Sequence, residues 1–425
     1  MFKSIILAAG KGTRMKSETP KVLHTIFNKT LLGYVLDAVN DTGLADENFV
    51  IVGHQAEKVA EFVKDNYDNA KTILQEPQLG TGHVVSMALP FLENYDGEIV
   101  ILCGDTPLIQ SETIREFVEY HKNSQSDITV MSAIFDEPAN YGRIIRSAND
   151  KVLAIIEEKD ATPEQKAIKE INAGIYCINW SKVKRAFSEL NTNNAQGEYY
   201  LTDIIKWGNN NGLSVNGYVL KDNEEIFGIN SKLNLAQASK MLNRKVVNKH
   251  MANGVTIVDP DTTWISPETS IEADTIIYPS CYIEGKNTIG RNCAIGPFAH
   301  LRGDVVLEDN VKIGNFVEVK KTRVKSHTNA CHLTYLGDSE IGSNVNIGAG
   351  TITANYNPLS KVKSKTVIED NVKIGSNSVL VAPVEIKEGA NVGALSVITK
   401  NIPSWALAIT RAPIRIVEDW VKRKM

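Results

Sequence analysis

The stretch from Ile265 to Val319 reads ISPETS-IEADTI-IYPSCY-IEGKNT-IGRNCA-IGPFAH-LRGDVV-LEDNVK-IGNFVE-V, with an aliphatic residue at every sixth position. If about one residue in four were aliphatic, ten such successes would arise by chance on the order of once in a million registers. An α-helix repeats every 3.6 residues and a strand every two, so neither explains this period. A prism with three short faces per coil does, because each face then points one aliphatic side chain inward. The pattern predicts a parallel β-helix.

The six-residue repeat is interrupted twice before it ends near Ile398. Val319 and Ile341 are 22 residues apart, four more than a coil of eighteen, and Ile347 and Ile368 are 21 apart, three more than a coil. We expect the extra residues to loop outward, and protruding loops on a rigid scaffold are where sites are usually built. The candidates that this expectation provides are His332, Tyr335, Asn355 and Tyr356.

The residues before the repeat have a different pattern. Up to about residue 229, apolar runs typical of strands alternate with helical stretches, which predicts a layered α/β domain. Residues 230–250 are predicted to form a linker helix, and residues 251–425 the β-helix domain with a C-terminal tail. The clearest predicted strands are Ser4–Ala8, Asn48–Val52, Glu98–Cys103 and Asp127–Ala133.

Composition narrows the class of protein. The chain has 425 residues, 43% hydrophobic and 23% charged, which is typical of globular domains. Its 46 Lys and Arg against 50 Asp and Glu give a net charge of -4, so we expect no nucleic-acid partner. The apolar run at the start is too short for a membrane span, and we expect no membrane partner. The five cysteines form no close pairs, which argues against structural zinc and secreted disulfides and favours the cytoplasm.

A phosphate-binding turn is predicted at the end of the first strand, where Leu7-Ala8-Ala9-Gly10-Lys11-Gly12-Thr13-Arg14 is followed by Lys21. A glycine-rich turn after a strand exposes backbone N–H groups to phosphate, and the cations supply charge. The spacing is neither that of a dinucleotide fingerprint, because Met15 takes the third glycine position, nor that of a Walker A loop. By itself the segment is also compatible with a tight turn carrying surface cations.

Asp105 favours the functional interpretation of that turn. It follows the apolar run Ile99–Cys103 through Gly104, and open α/β sheets bind ligands just beyond the carboxyl ends of such strands. A carboxylate at that position can hold Mg²⁺ together with phosphate oxygens and water. The two motifs together predict a site that binds phosphate and metal.

An ordered set of further residues carries a resemblance to a known family. It comprises Gln75, Gly80, Thr81, Tyr141-Gly142-Arg143, Glu157, Glu170-Ile171-Asn172, the segment Gln196–Asp203, and Asn230. With the phosphate turn and the hexapeptide repeat, this set resembles, nearly end to end, the bifunctional bacterial enzymes that are both N-acetylglucosamine-1-phosphate uridylyltransferase and glucosamine-1-phosphate N-acetyltransferase. The resemblance implies a Rossmann-like nucleotidyltransferase domain followed by a left-handed parallel β-helix.

The resemblance also implies the residues of the uridylyl-transfer site. Asp105 and Asn230 would ligate Mg²⁺, while Arg14 and Lys21 would neutralise charge and orient the departing pyrophosphate. No protein base is needed, because the attacking phosphate oxygen is already anionic. The residues that would hold the uridine nucleotide are Leu7, Ala8, Ala9, Gly10, Lys21, Gln75, Gly80 and Thr81, and those that would hold the N-acetylglucosamine moiety are Gly142, Glu157, Asn172, Tyr200 and Thr202.

For the β-helix, the resemblance implies that His332 is the general base, that Arg302 and Lys320 bind the phosphate of glucosamine 1-phosphate, and that Tyr335 and Asn346 bind its sugar. The acetyl-CoA site would be lined by Ala349, Asn355, Tyr356, Ser376, Ala394 and Arg411. Chemistry supports the base, because an amine attacks a thioester only when unprotonated, and histidine is suited to remove a proton near pH 7.

The spacing of Arg302 and Lys320 supports the phosphate site independently of the family. They are eighteen residues apart, one full coil, which would place both cations on the same face one rung apart, as two donors for one phosphate.

The resemblance implies a cytoplasmic homotrimer, with acetyl-transfer sites between neighbouring subunits, that makes UDP-N-acetylglucosamine for cell-wall peptidoglycan and lipopolysaccharide. Its small-molecule partners would be glucosamine 1-phosphate, N-acetylglucosamine 1-phosphate, and the co-substrates acetyl-CoA and UTP.

Two alternatives stay open at this point. In a single-activity sugar-nucleotide pyrophosphorylase the β-helix would only oligomerise the chain, and the presence of His332, Arg302 and Lys320 argues against it. In a nonenzymatic scaffold or regulatory subunit, Arg14, Lys21, Asp105 or Asn230 would be expected to be lost, and all four are present.

Overall fold

The computed structural model describes residues 1–138 and 140–425, and these divide into two compact units, 1–239 and 240–425. The division falls inside the helix Lys232–Ala252, which covers most of the segment predicted as a linker. Within the described ranges, no helix is both long and apolar enough to cross a lipid bilayer.

The first unit is built on a mixed β-sheet with strand order β11-β7-β10-β6-β1-β4-β5, to which β8 and β9 add at β10. Strand β1 is parallel to β4 and β6, whereas β10 runs antiparallel to β6 and β7. All four strands expected from the sequence are confirmed. The strands of this unit are β1 (Phe2–Ala8), β2 (Thr25–Ile26), β3 (Lys29–Thr30), β4 (Ala45–Val52), β5 (Ala70–Leu74), β6 (Glu98–Cys103), β7 (Ile128–Ile134), β8 (Arg143–Arg146), β9 (Val152–Ile156), β10 (Glu170–Asn179) and β11 (Val215–Val219), of which β2 and β3 form a separate hairpin.

Helices cover both faces of this sheet. Ile5 and Ile6 of β1 are both fully buried but belong to different hydrophobic clusters, because successive strand residues point to opposite faces. The helices of this unit are α1 (Leu31–Asn40), α2 (Ala56–Asn66), α3 (Thr81–Ser86), α4 (Ser111–Asn123), α5 (Pro163–Lys166), α6 (Trp180–Val183), α7 (Ala186–Glu189) and α8 (Asp203–Asn210), with short 3₁₀ turns at Thr13–Met15, Lys21–Leu23, Leu89–Phe91 and Asn223–Ile226. The helix that contains the division between the units, α9, is Lys232–Ala252.

The second unit is the predicted parallel β-helix, with three ladders of short strands around one apolar core. The first ladder contains Thr256–Ile257, Ile276–Ile277, Ala294–Ile295, Lys312–Asn315, Asn329–His332, Asn346–Ile347, Lys373–Ile374, Asn391–Val392 and Leu407–Ala408. The second contains Trp264–Ile265, Tyr282–Glu284, His300–Arg302, Glu318–Lys320, Tyr335–Gly337, Ile352–Ala354, Val379–Val381 and Val397–Ile398. The third contains Ser270–Ile271, Asn287–Ile289, Val305–Leu307, Arg323–Val324, Ser339–Ile341, Thr366–Ile368 and Val384–Ile386.

The expectation of an outward loop between Val319 and Ile341 is wrong. Val319 pairs directly with Leu336, so this coil has 17 residues instead of 18, and no residues are extruded. Val324 and Ala330 take the inward positions and are fully buried. A strict period of six did not identify Val324 and Ala330, because each lies one residue before the position that this period predicts. His332 therefore lies in a regular strand, Asn329–His332, with an exposed side chain.

The second interruption does form an outward loop, and the loop is longer than predicted. Ile341 pairs with Ile368, so this coil contains 27 residues, nine more than a regular coil of eighteen. Thr353 is fully buried in the second ladder, which means that a threonine continues the repeat where an aliphatic residue was expected. The extra residues lie between Ala354 and Thr366, and an antiparallel bridge joins Tyr356 to Lys363 within them.

Candidate functional sites

A cleft of about 460 Å³ lies at the carboxyl ends of β1 and β6. The backbone brings these ends together, because the N–H group of Gly104 donates a hydrogen bond of 3.0 Å to the carbonyl oxygen of Leu7. Every residue predicted to hold the nucleotide lines this cleft: Leu7, Ala8, Ala9, Gly10, Lys21, Gln75, Gly80 and Thr81.

Gly80 shows why this wall needs glycine. Its φ of 109° is unfavourable for residues with a side chain, and a Cβ there would lie 2.7 Å from the carbonyl oxygen of Tyr199. Gln75, 3% exposed, fixes the same wall by donating to the Gly80 carbonyl at 3.2 Å. The hydroxyl of Thr81 accepts from the N–H group of Leu201 at 3.1 Å, which joins the predicted nucleotide wall to the predicted sugar segment.

Asp105 and Asn230 meet beside the phosphate turn. The N–H group of Ile229 donates to the Asp105 carbonyl at 3.0 Å, which positions the next residue, Asn230. The ammonium group of Lys21 donates to Asp105 Oδ2 and, at 3.2 Å, to Asn230 Oδ1. The two predicted metal ligands thus direct oxygens toward one positive charge.

A second cleft of about 430 Å³ adjoins the first and shares Cys103 and Asp105 with it. It is lined by the predicted residues Arg14, Gly142, Glu157, Asn172 and Asn230. The N–H group of Asn172 donates to the Gly142 carbonyl at 2.9 Å, which ties β10 to the start of β8. Arg14 lies on this side and not in the lining of the first cleft.

The predicted sugar residue Thr202 donates to Glu157 Oε1 at 3.2 Å, next to the second cleft. Burial raises the pKa of Glu157, with smaller contributions from Asp160 and Asp203, while the Thr202 hydrogen bond acts in the opposite direction. Tyr200 is 7% exposed, and its hydroxyl contacts Asp160 and Gln196 at 3.2 and 2.9 Å, outside the lining of both clefts.

Several lining residues were not singled out from the sequence. Gln78 Nε2 donates to the Ala9 carbonyl at 2.5 Å, and Glu198 lies across the first cleft. Cys103 stands between the two clefts, and burial raises the pKa of its thiol to about 12, so it is a neutral wall residue. The sequence feature that could have identified Cys103 is its position at the end of a buried strand, directly before Gly104 and Asp105.

In the described parts of the chain, His121, Glu98 and Cys177 form a group whose potential ligand atoms lie within 4.8 Å of one another. The imidazole is already satisfied on both sides, by Thr129 at 2.7 Å and by Glu98 at 2.9 Å. We interpret the group as a buried hydrogen-bond chain that supports the sheet.

The β-helix brings the predicted phosphate residues together. Leu301 pairs with Val319, so the next residues, Arg302 and Lys320, occupy equivalent positions on adjacent rungs. Arg302 Nη1 donates a hydrogen bond of 2.8 Å to Glu318 Oε1. The pKa of Lys320 is lowered, first by Lys363 of the inserted loop and then by Arg302. Lys363, which the sequence reasoning missed, therefore completes a group of three cations suited to a phosphate.

The remaining residues predicted for glucosamine 1-phosphate lie on neighbouring rungs. His332 and Asn346 both belong to the first ladder, and Asn346 pairs with Asn329 at the start of the His332 strand. Tyr335 lies on the second ladder, where its hydroxyl is 3.5 Å from Asn355 Nδ2. Asn355 also donates to Asp338, a neighbour of Lys320.

The predicted acetyl-CoA residues form two groups. Asn355 and Tyr356 begin the inserted loop, where Asn355 is buried and Tyr356 is exposed. The other group runs along one corner of the prism, where backbone hydrogen bonds join residue 377 to Ala349 and residue 395 to Ser376, and Arg411 donates to the Ala394 carbonyl at 3.2 Å.

Comparisons with known proteins agree with both units. The nucleotidyl transferase family model matches residues 3–226, and the bacterial transferase hexapeptide model, with six repeats, matches residues 288–321 and 365–400. The unmatched part between the two repeat segments contains the shortened coil and the inserted loop.

A protein of Acetivibrio thermocellus named bifunctional protein GlmU is 43% identical over 454 aligned residues, which cover 99% of this chain and 97% of that relative. This chain belongs to the GlmU family. GlmU relatives from Caldanaerobacter subterraneus subsp. tengcongensis and Clostridioides difficile are 44% and 42% identical over 99% and 100% of this chain and 98% of each relative.

Membership of the GlmU family, with a nucleotidyltransferase unit and hexapeptide repeats, makes the chain a bifunctional transferase. Its two activities are the acetyltransferase and uridylyltransferase activities of UDP-N-acetylglucosamine synthesis. The repeats of the second unit are those of a left-handed β-helix.

Proposed function

We propose that the first cleft binds UTP, that the second binds N-acetylglucosamine 1-phosphate, and that uridylyl transfer takes place where they adjoin. The observation that carries this assignment is the shared wall of Cys103 and Asp105. Because both residues line both clefts, the clefts meet at this point, and a sugar phosphate in one cleft can direct an oxygen at the α-phosphorus of a nucleotide in the other. The new P–O bond forms as the bond to pyrophosphate breaks.

The chain's own residues would handle charge in this reaction. The phosphate turn offers backbone N–H groups to the nucleotide, while Lys21 and Arg14, on opposite sides of the wall, neutralise phosphate oxygens. The convergence of Asp105 and Asn230 oxygens on the Lys21 ammonium indicates that this pair fits a small hard cation. Mg²⁺ held there would supply Lewis-acid stabilisation of the phosphate charge.

For the β-helix, we propose that Arg302, Lys320 and Lys363 bind the phosphate of glucosamine 1-phosphate, and that His332 removes the proton of its ammonium or attacking amine. The nitrogen then forms a bond to the acetyl carbonyl carbon of acetyl-CoA as the C–S bond breaks, and the proton held by the imidazole passes to the departing thiolate, so that coenzyme A leaves as the thiol. The exposed imidazole of His332 leaves room for a substrate beside it.

We also propose that the chain acts as a cytoplasmic homotrimer, with acetyl-transfer sites completed by neighbouring copies. A ladder of exposed apolar side chains at one corner of the prism supports association between copies. It consists of Phe298, Phe316 and Leu333 on successive rungs, which are 50 to 62% exposed and all have left-handed φ angles.

A coupled assay tests the complete proposal. Purified protein is given glucosamine 1-phosphate, acetyl-CoA, UTP and Mg²⁺, and UDP-N-acetylglucosamine is followed by chromatography. Omission of acetyl-CoA should abolish the product, and N-acetylglucosamine 1-phosphate should restore it. A single-activity pyrophosphorylase would instead form product only from the acetylated sugar phosphate, and a scaffold would form none.

A further inference from the structure

Lys21 lies in a position that its role toward phosphate does not explain. Its ammonium group is bound between Asp105 and Asn230, the two proposed metal ligands. The Lys21 and Asp105 side chains are only 14% and 17% exposed, so the pair is largely shielded from water. Although Lys21 lines the first cleft, its ammonium group binds the oxygens that a divalent cation needs.

We propose that Lys21 is a built-in competitor of the divalent cation in the nucleotide-free enzyme. The ammonium group holds Asp105 and Asn230 until nucleotide phosphates attract it away, and only then do both oxygens become available to the metal. The inference rests on the proposed function for its choice of metal ligands, and it adds a rule: the cation binds tightly only together with nucleotide.

The local backbone places Lys21 beside the phosphate turn, so its ammonium group has only a short distance to move from the carboxylate to a bound phosphate. Lys21 begins a 3₁₀ turn directly after Pro20, and a Cβ on Gly12 would lie 2.7 Å from the Lys21 Cβ. The stem of Lys21 therefore packs against the phosphate turn itself. Because lysine has a flexible four-carbon stem and a compact charge, rotations of that stem can redirect the ammonium from the carboxylate to a phosphate bound at the turn.

Electrostatics supports the competition. An ammonium and a divalent cation at the same carboxylate oxygen would repel each other at short range, and water screens that repulsion poorly at a largely buried position. A polyphosphate removes the conflict, because it supplies anionic oxygens to both cations. Metal and nucleotide binding should then be positively coupled, and the coupling should depend on the charge of residue 21.

The test is Mn²⁺ binding to the full-length protein, followed by the loss of the free-ion electron paramagnetic resonance signal, with and without UTP. Lys21→Met should bind Mn²⁺ about tenfold more tightly than wild type without nucleotide, a change typical of removing one close charge. Lys21→Arg, which keeps the charge, should stay near wild type. Lys16→Met, an exposed lysine on the same segment, controls for net charge.

UTP should increase the Mn²⁺ affinity of wild type by a larger factor than that of Lys21→Met. Unchanged or weaker nucleotide-free Mn²⁺ binding by folded Lys21→Met would overturn the inference. Asp105→Ala separates this failure from failure of the proposed function. If Asp105→Ala loses Mn²⁺ binding while Lys21→Met equals wild type, only the competition is refuted. If Asp105→Ala binds like wild type, the assignment of the metal ligands fails as well.

Discussion

Replacement of His332 by alanine should slow acetyl transfer without destabilising the β-helix. The imidazole is exposed, and the carbonyl oxygen of His332 accepts hydrogen bonds from Gly350 N at 3.3 Å and Thr334 Oγ1 at 2.7 Å. Both survive the substitution. The free energy of unfolding should therefore change by no more than about 0.5 kcal/mol, as for other surface substitutions.

The rate should change far more than the stability. Loss of a general base typically lowers the rate about 10²- to 10⁴-fold, which corresponds to about 2.7 to 5.4 kcal/mol of activation free energy. The effect should fall on kcat, because Arg302, Lys320 and Lys363 still bind the phosphate, and the KM for glucosamine 1-phosphate should change only a few-fold.

Thiol release from acetyl-CoA measures this reaction at several pH values. Wild-type kcat should rise with pH, because only an unprotonated ring can accept the proton. His332→Ala should lose that rise. His327→Asn is the matched control, since His327 is exposed with a φ of 63° at a corner where Asn310 and Asn344 occupy the adjacent rungs. Near wild-type rates in folded His332→Ala at these pH values would refute the assignment.

Further predictions concern both units. Asp105→Ala should abolish uridylyl transfer, measured by pyrophosphate release, and leave acetyl transfer near normal; equal loss of both would disprove separate sites. Residues 1–239, which include Asn230, should fold as a soluble monomer and keep UTP-dependent activity, whereas aggregation in analytical ultracentrifugation would show that the boundary is misplaced. Gly80→Ala should lower stability by about 1 to 3 kcal/mol in thermal unfolding and raise the KM for UTP; Gly43→Ala, where φ is also positive, at 66°, but a Cβ would meet nothing within 4 Å, is the control and should leave the KM unchanged. Lys363→Met should raise the KM for glucosamine 1-phosphate at neutral pH. It should also raise the lowered pKa of Lys320, so that the remaining binding is lost at a higher pH than in wild type. An unchanged profile of KM against pH would exclude this effect of Lys363 on Lys320.

The β-helix could be predicted from one run of residues because its period of six is incompatible with other regular structures. Its irregular part could not. Val324 and Ala330 are each displaced by one residue, and Thr353 replaces an aliphatic residue, so counting residues between aliphatic positions gave one false loop and understated the size of the other. The pairing register that decides such cases depends on contacts between coils, which spacing alone does not encode.

In the first unit, the strands and the phosphate turn were predictable because apolar runs and glycines are local signals. The meeting of Asn230 with Asp105 is not local, since it depends on a backbone hydrogen bond from Ile229 to a residue more than a hundred positions earlier. The bond between Lys21 and Asp105 was equally hidden, because sequence reasoning directed both residues toward substrate and not toward each other. The residues of the second cleft entered the prediction through family resemblance.

The wall that Cys103 shares between the two clefts restricts how this enzyme can be re-engineered. A larger side chain at position 103 would narrow both clefts at once, so an attempt to tighten selectivity for the sugar phosphate there would also alter the fit of the nucleotide. Positions that line only one cleft, such as Gln78 or Tyr141, leave the other unchanged and are better starting points for altered substrate choice. Variation at residue 103 should therefore be tolerated only when compensating changes appear on both sides.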